Sequence, residues 1–335
     1  MKKLLLIIAF LALGLFAVVL VSIIKQLSQE EPIPQFEIRF RKGVSYSPKS
    51  LTSVADIDDF WEKAVVAGEA IRTGGDWVDF NKPGKISSVV VELAQRNRLV
   101  PVIEVNFFNQ DSGRLLRPLN SANKTAYRDA AVAFAQKYQP PYFGMGVEID
   151  TFYRAQTEEF DGFADLFSEV YDGVKAVSPQ TQIFTTFQYE RLQGLRGGLF
   201  GGTNDLTKNN WDLLEKFPKA DLFAFTTYPG LIYKDPRDIP SDYYSRIKKH
   251  TSKPVAFTEM GWFSGRGIKG WESSEGEQAR FVARFFELTE DLDLHLAIWL
   301  HLYQQTSAEP FGTMALFKTD GTPKAAWEVW LNASR

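Results

Sequence analysis

The sequence predicts an α/β fold, a closed (β/α)8 TIM barrel, preceded by an N-terminal transmembrane or signal-anchor helix. Three observations carry this. Short apolar runs bounded by Gly, Pro or Asp alternate with amphipathic stretches of helical length, the pattern of repeated βα units. Beyond the N-terminal apolar run, positions 36–335 give a length that suits one barrel with loop insertions. The first βα turn, SYSPKSLTS, has no glycine, whereas a doubly wound sheet tends to carry a phosphate-binding Gly fingerprint there.

The elements follow in order. Lys2 and Lys3 precede an uncharged, mostly apolar run of 21 residues from Leu4 to Ile24, closed by Lys25. That length spans a hydrocarbon core of roughly 30 Å. The run ends Val21-Ser22-Ile23-Ile24 without a small-x-small cleavage motif, so it reads as an uncleaved signal anchor in preference to a removed signal peptide. The paired lysines hold the N-terminus inside and place the rest outside, at the cell membrane. Residues 1–25 are therefore signal anchor or signal peptide, 26–35 a Pro-containing linker, and 36–335 the barrel.

Eight strands are expected: Gly43–Ser47, Ala70–Thr73, Val100–Phe108, Tyr142–Asp150, Gln182–Gln188, Asp221–Tyr228, Pro254–Trp262 and His295–Tyr303. Helical patterns lie between them at Ile57–Val66, Lys85–Arg96, Thr125–Lys137, Phe160–Ala176 and Glu277–Leu288, the last opened by a capping box of Ser274 and Glu277. The Gly-rich stretch Gly194–Gly202 matches neither a Walker loop nor GxGxxG before a helix, and reads as a long flexible loop walling the site after strand five.

Composition narrows the chemistry. With 38 Lys and Arg against 41 Asp and Glu, the net charge of −3 lacks the basic footprint of a nucleic-acid binder. No cysteine is present, and His250, His295 and His301 are scattered, which leaves carboxylates as the main catalytic candidates and implies no metal or cofactor. A monomer is expected.

Three glutamates sit inside apolar strand-like runs: Glu104, Glu148 and Glu259. A buried, unpaired carboxylate is costly, so each is either ion-paired or functional. Glu148 and Glu259 fall near the carboxyl ends of strands four and seven, where barrels place catalytic groups. Strict alternation puts Glu259 on the face of Val255 and Phe257, and Glu148 on the face of Gly144 and Gly146, whose lack of side chains leaves room. Two converging carboxylates suit glycoside hydrolysis, one protonating the leaving oxygen and the other attacking the anomeric carbon. Glu104 reads as a supporting residue that shares its face with Asn106.

These pieces resemble the clan A glycoside hydrolases, retaining enzymes on (β/α)8 barrels, and are similar to the endo-β-mannanase and endo-β-galactanase type families. The resemblance spans nearly the whole of 36–335. Phe257-Thr258-Glu259-Met260-Gly261-Trp262 is similar to the nucleophile motif of strand seven, and Ala70-Ile71-Arg72 with Asp76-Trp77 to the strand-two segment whose arginine supports it. Thr227-Tyr228-Pro229 resembles the end of strand six, Trp299 the platform position on strand eight, and Leu316 to Trp327 the closing segment.

The resemblance implies Glu148 as acid/base and Glu259 as nucleophile, with Arg72 and Tyr228 keeping Glu259 ionised and Glu148 raised in pKa. One position departs from the clan: Val147 stands where an Asn that contacts the sugar 2-hydroxyl usually precedes the acid/base.

For the carbohydrate, Trp77, Trp262, Trp271 and Trp299 are expected as platforms, Tyr46 and Tyr228 as hydroxyl donors, and Arg72, Asn106, Gln188 and Gln304 as polar partners. Phe143, Phe184, Phe223 and Phe285 read as core, and Trp61, Trp327 and Trp330 as packing residues. The expected function is a retaining glycoside hydrolase for β-linked glycans; mannan, galactan and glucan stay open, as does endo or exo action. A non-catalytic carbohydrate-binding protein of the cell envelope is the alternative on the same barrel, and a carboxylate-metal hydrolase a third.

Overall fold

A computed structural model describes residues 35–80 and 82–334. The anchor predicted at 1–25 and most of the linker lie outside them. Among the described residues no helix is long and apolar enough to cross a membrane.

Eight parallel staves form the sheet. They are β1 (Arg41–Ser45), β2 (Ala70–Asp76), β3 (Val100–Asn106), β4 (Tyr142–Met145), β5 in two pieces (Gln182–Phe184 and Thr186–Gln188), β6 (Phe223–Thr227), β7 (Val255–Met260) and β8 (Leu294–Trp299). The sheet begins and ends on the two pieces of β5: Gln182–Phe184 pairs with β4, and Thr186–Gln188 with β6. Pairing of β8 with β1 joins the chain's two ends, so the ring is closed with one interruption at Thr185. Outside it, Phe36–Glu37 pairs with Ala333–Ser334.

The helices are α1 (Val54–Ala67), α2 (Ile86–Arg96), α3 (Ser121–Tyr138), α4 (Ile149–Ala155), α5 (Thr157–Val177), α6 (Tyr189–Leu192), α7 (Glu275–Thr289) and α8 (Ala325–Leu331). Ser53, Asn120 and Ser274 cap α1, α3 and α7 by accepting the backbone N–H three residues on. In the expected box of Ser274 and Glu277, the carboxylate takes the Ser273 and Ser274 hydroxyls. The returns after β5 and β6 lack a long helix; 3-10 turns such as Trp211–Lys216 and Ser245–Lys249 replace it.

Two apolar layers hold the barrel. Ala70, Val102, Tyr142, Phe184, Leu222, Ala224, Ala256, Leu296 and Ile298 fill the inside. Phe143, Phe223, Phe285, Trp61, Trp327 and Trp330 pack between sheet and helices, and with Phe184 these are the core and packing aromatics expected from sequence. Above the inner apolar layer lies a polar one, built on Arg72, Glu104, Thr186 and Thr258.

Candidate active site

The polar layer explains two of the three strand glutamates. Glu104, fully buried on β3, accepts from Arg72 Nε at 2.6 Å and from the Thr186 and Thr258 hydroxyls. Arg72 reaches the other way with Nη2, 2.6 Å from Glu259 Oε1. Its guanidinium thus bridges two carboxylates. Burial works to discharge it, and the Glu259 and Glu104 charges outweigh burial, so its pKa is raised. Removing one member of such a buried group costs about 3–5 kcal/mol.

Glu259 is aimed by a break in alternation. Phe225 pairs with Phe257, but the next residue, Thr226, pairs with Glu259, so one extra residue bulges from β7. Val255 and Phe257 face the helices, where Phe257 meets the Phe285 ring at 5.3 Å. Strict alternation would send Glu259 there as well. The bulge turns Thr258 and Glu259 both inward, which corrects the face expected from sequence. Tyr228, just after β6, donates its hydroxyl to Glu259 Oε2 at 2.5 Å. Burial raises the Tyr228 pKa, the Glu259 charge adds to it, and the phenol keeps its proton.

Glu148 is not in a strand. β4 ends at Met145, and Glu148 stands before α4 with a left-handed backbone, φ 59° and ψ 51°. The turn is held by Asn106, whose Oδ1 accepts from Val147 N at 3.2 Å. Gly144 makes room for Glu104 rather than Glu148: a Cβ there would sit 2.8 Å from Glu104 Cγ. Gly146 faces Phe107 and Ile149, again away from the carboxylate. The Thr226 hydroxyl donates to Glu148 Oε1 at 2.6 Å. Burial, then the Glu259 and Asp150 charges, push the Glu148 carboxyl up to about 8. It is protonated at neutral pH.

Glu148 and Glu259 line one cavity of about 280 Å³ together with Gln110, Asp111, Tyr228, Leu300, His301 and Phe311. Two further cavities continue it along the barrel mouth. One, about 240 Å³, shares Leu300 and His301 and adds Tyr46, Arg72 and Gln305. The other, about 330 Å³, shares Glu148 and Tyr228 and adds Arg154, Gln188, Arg191 and Phe200. The three make a groove across the mouth with the carboxylates at its middle.

The aromatic platforms are corrected. Trp262 and Trp299 are fully buried, and Trp77 nearly so. Trp299 Nε1 donates to Met314 O, Trp262 Nε1 to the Ser273 hydroxyl, and the Trp77 ring packs edge-on against Tyr127. Alternation along β8 turns Trp299 toward the helices, against Phe281 and Trp330. Trp271 anchors its loop through a bond from Nε1 to Gly230 O. Tyr46, Tyr228 and Arg72 are at the groove as expected, and so is Gln188, although its amide is occupied by Glu190 and Arg191 N. Asn106 supports the Glu148 turn. The Gly-rich loop does wall the groove through Leu199 and Phe200, and is tied down by Asn204 to Gly197 N at 2.7 Å.

Sequence reasoning missed His301, Thr226, Gln110 and the buried Glu190. His301 lies two residues past Trp299, beyond the end of β8, where strand alternation no longer sets which way a side chain points. Burial, then Arg72, lower its pKa to about 4, and its buried Nδ1 has no hydrogen-bond partner. Glu190 accepts from the Thr227 hydroxyl, Tyr228 N and the Tyr243 hydroxyl, and so fixes the backbone that carries Tyr228. Among the described residues no three His, Asp or Glu side chains converge on a metal position.

A closed parallel barrel with two strand-end carboxylates across one groove is an architecture common among glycoside hydrolases. No protein-family model and no curated protein matches the chain. Solved structures do match. A family 39 glycoside hydrolase from the gut symbiont Bacteroides cellulosilyticus WH2 is 17% identical, over 88% of this chain and 63% of that one, with a TM-score of 0.61. The exo-β-1,4-mannosidase Op5Man5 from Opitutaceae bacterium strain TAV5 is 14% identical over 90% and 61%, at 0.60. The family 53 catalytic domain from Ignisphaera aggregans is 15% identical over 91% and 99%, at 0.63. The chain thus spans about six-tenths of the length of the first two and nearly all of the third. It has the barrel fold that these glycoside hydrolases share.

Proposed function

We propose that the chain is a retaining glycoside hydrolase of β-linked glycans, with Glu148 as acid/base and Glu259 as nucleophile. The observation that carries this is the unlike setting of two carboxylates on one cavity: Glu148 is protonated at neutral pH, and Glu259 is ion-paired and hydrogen-bonded. Such a split assigns acid and nucleophile.

A sugar in the central cavity presents its anomeric carbon to a Glu259 oxygen. As the carbon–oxygen bond forms, the glycosidic bond breaks, and its electron pair goes to the departing oxygen, which takes the Glu148 proton. Arg72 and Tyr228 orient the attacking carboxylate. Once Glu259 is an ester its charge is gone, one of the causes that raised Glu148 vanishes, and the Glu148 carboxylate can take a proton from water. That water attacks the anomeric carbon and frees Glu259. His301, neutral at physiological pH, lines the central cavity beside both carboxylates, where its ring can meet the bound sugar. Val147 is buried, so the backbone turn that it occupies offers no side-chain amide to the sugar.

The apolar run from Leu4 to Ile24 supports a further reading, that the barrel is held outside the cell on a membrane anchor, with 26–35 as the tether. The test of the activity is hydrolysis of aryl β-glycosides and β-linked polysaccharides by the wild type, Glu148→Gln and Glu259→Gln. Loss of at least about 10³-fold in either variant is expected, typical of an essential catalytic group. Hydrolysis unaffected by both substitutions sinks the assignment, and glycan binding by the wild type without turnover favours the non-catalytic reading.

A further inference from the structure

The groove is electrically asymmetric. At its Glu148 end, Arg154 on α4 and Arg191 on α6 both face the 330 Å³ cavity. Among the described residues neither guanidinium comes within 4.0 Å of a carboxylate oxygen. Arg117, by contrast, pairs with Asp76, Arg246 with Asp242, Arg237 with Asp235, and Arg72 with two glutamates. Arg154 reaches the Thr151 hydroxyl at 3.5 Å, and the Arg191 guanidinium carbon lies 4.4 Å from the centre of the Phe200 ring. Burial and the Arg191 charge both lower the Arg154 pKa, and Arg196 adds to this.

Four groups face these cations. Asp150 lies behind them, 1% exposed and engaged by Gln188 N at 2.8 Å, so it offsets charge without reaching the cavity. Asp111 stands on the loop after β3 and is shared with the central cavity. Glu148 is neutral, and Arg196 is a third cation, donating to Lys208 O. Two open guanidinium forks remain, the geometry that recognises planar oxyanions.

The geometry also says which part of a glycan lies there. Glu259 must touch the anomeric carbon, and it lines the central cavity but not the one with the arginines. Glu148 lines both, as a proton donor to the departing oxygen must. The arginine cavity therefore receives the departing portion. Resting on the glycosidase reading, we propose that this cavity is a leaving-side subsite for an anionic sugar, carrying a carboxylate or a sulfate, held by Arg154 and Arg191.

Calorimetry on Glu259→Gln compares tetrasaccharides that carry uronate, tetrasaccharides that carry sulfate, and neutral cello-, manno- and galacto-tetraose. Acidic probes are expected to bind more tightly, and Arg154→Ala with Arg191→Ala to lower the acidic-to-neutral affinity ratio about 10- to 100-fold, as for two charge-assisted contacts. The carboxylate and sulfate arms separate the two sources of the oxyanion. In turnover, the acidic sugar should appear at the new non-reducing end of the released fragment. Equal affinity for neutral and acidic probes, or an acidic sugar retained on the other fragment, overturns the subsite and leaves the glycosidase reading intact. Arginine-dependent acidic binding with no hydrolysis of any probe by the wild type upholds an anion site and defeats the glycosidase reading instead.

Discussion

Replacing Glu148 by Gln should stabilise the protein above neutral pH and leave its stability unchanged below about pH 4.5. The folded carboxyl is raised from 4.5 to about 8, first by burial and then by Glu259 and Asp150. Below the unfolded value both states hold the proton and the group adds no penalty. As pH rises past 4.5 the unfolded chain ionises freely while the folded site resists, so stability falls until pH passes about 8. The 3.5 units between 8 and 4.5 correspond to an upper figure of about 5 kcal/mol at ~1.36 kcal/mol per unit.

Glu148 is half-buried at the groove, so this figure is an upper bound. A domain of this size shifts by about 2 °C per kcal/mol, so Glu148→Gln should melt higher than the wild type at pH 8.5, by up to about 10 °C. Glutamine keeps the side-chain shape, can accept from Thr226, and tolerates φ 59° as glutamate does. Circular-dichroism melts at pH 4.5, 6.5 and 8.5 read the difference. A gap independent of pH, or a variant less stable than the wild type at pH 8.5, refutes the reasoning.

Three further outcomes are expected. Tyr228→Phe removes the donor to Glu259, and should slow glycosyl-enzyme formation about 10- to 100-fold in pre-steady-state bursts with activated aryl glycosides. Trp299→Phe should lower thermal stability by about 2–3 kcal/mol without changing KM, because it deletes buried volume and the bond to Met314 O rather than a sugar platform. The full chain should stay in a carbonate-washed membrane fraction, and a version lacking residues 1–34 should not, as read by immunoblot.

What the sequence revealed follows its periodicity. Eight apolar runs separated by helical patterns carry the barrel, because a parallel stave is buried on both faces and writes itself as a continuous run such as VPVIEVN. The returns after β5 and β6 were less legible, since 3-10 turns leave no 3.6-residue pattern. Arg72 and Tyr228 were found through the resemblance of their segments to clan A motifs, and Glu148 and Glu259 because glutamates in apolar runs demand a reason. Their aim was not legible: a bulge in β7 and a left-handed turn at 148 change facing without changing composition. The tryptophans failed for a related reason. A large ring at a strand end fits a core as readily as a sugar, and only the packing shows Trp299 facing the helices while His301, past the end of β8, lines the cavity. Arg154 and Arg191 lie on separate short helices, and their common cavity exists only once the chain is folded.

The central claim is that Glu259 forms a covalent bond to the sugar. Incubation with a panel of 2-deoxy-2-fluoro-β-glycosides (gluco, galacto, manno-configured and xylo), followed by peptide mass mapping, tests it directly. The account predicts time-dependent inactivation and one added fluoroglycosyl group on Glu259, absent from Glu259→Gln. A label on another carboxylate, or hydrolysis that proceeds with inversion and no label, would contradict it.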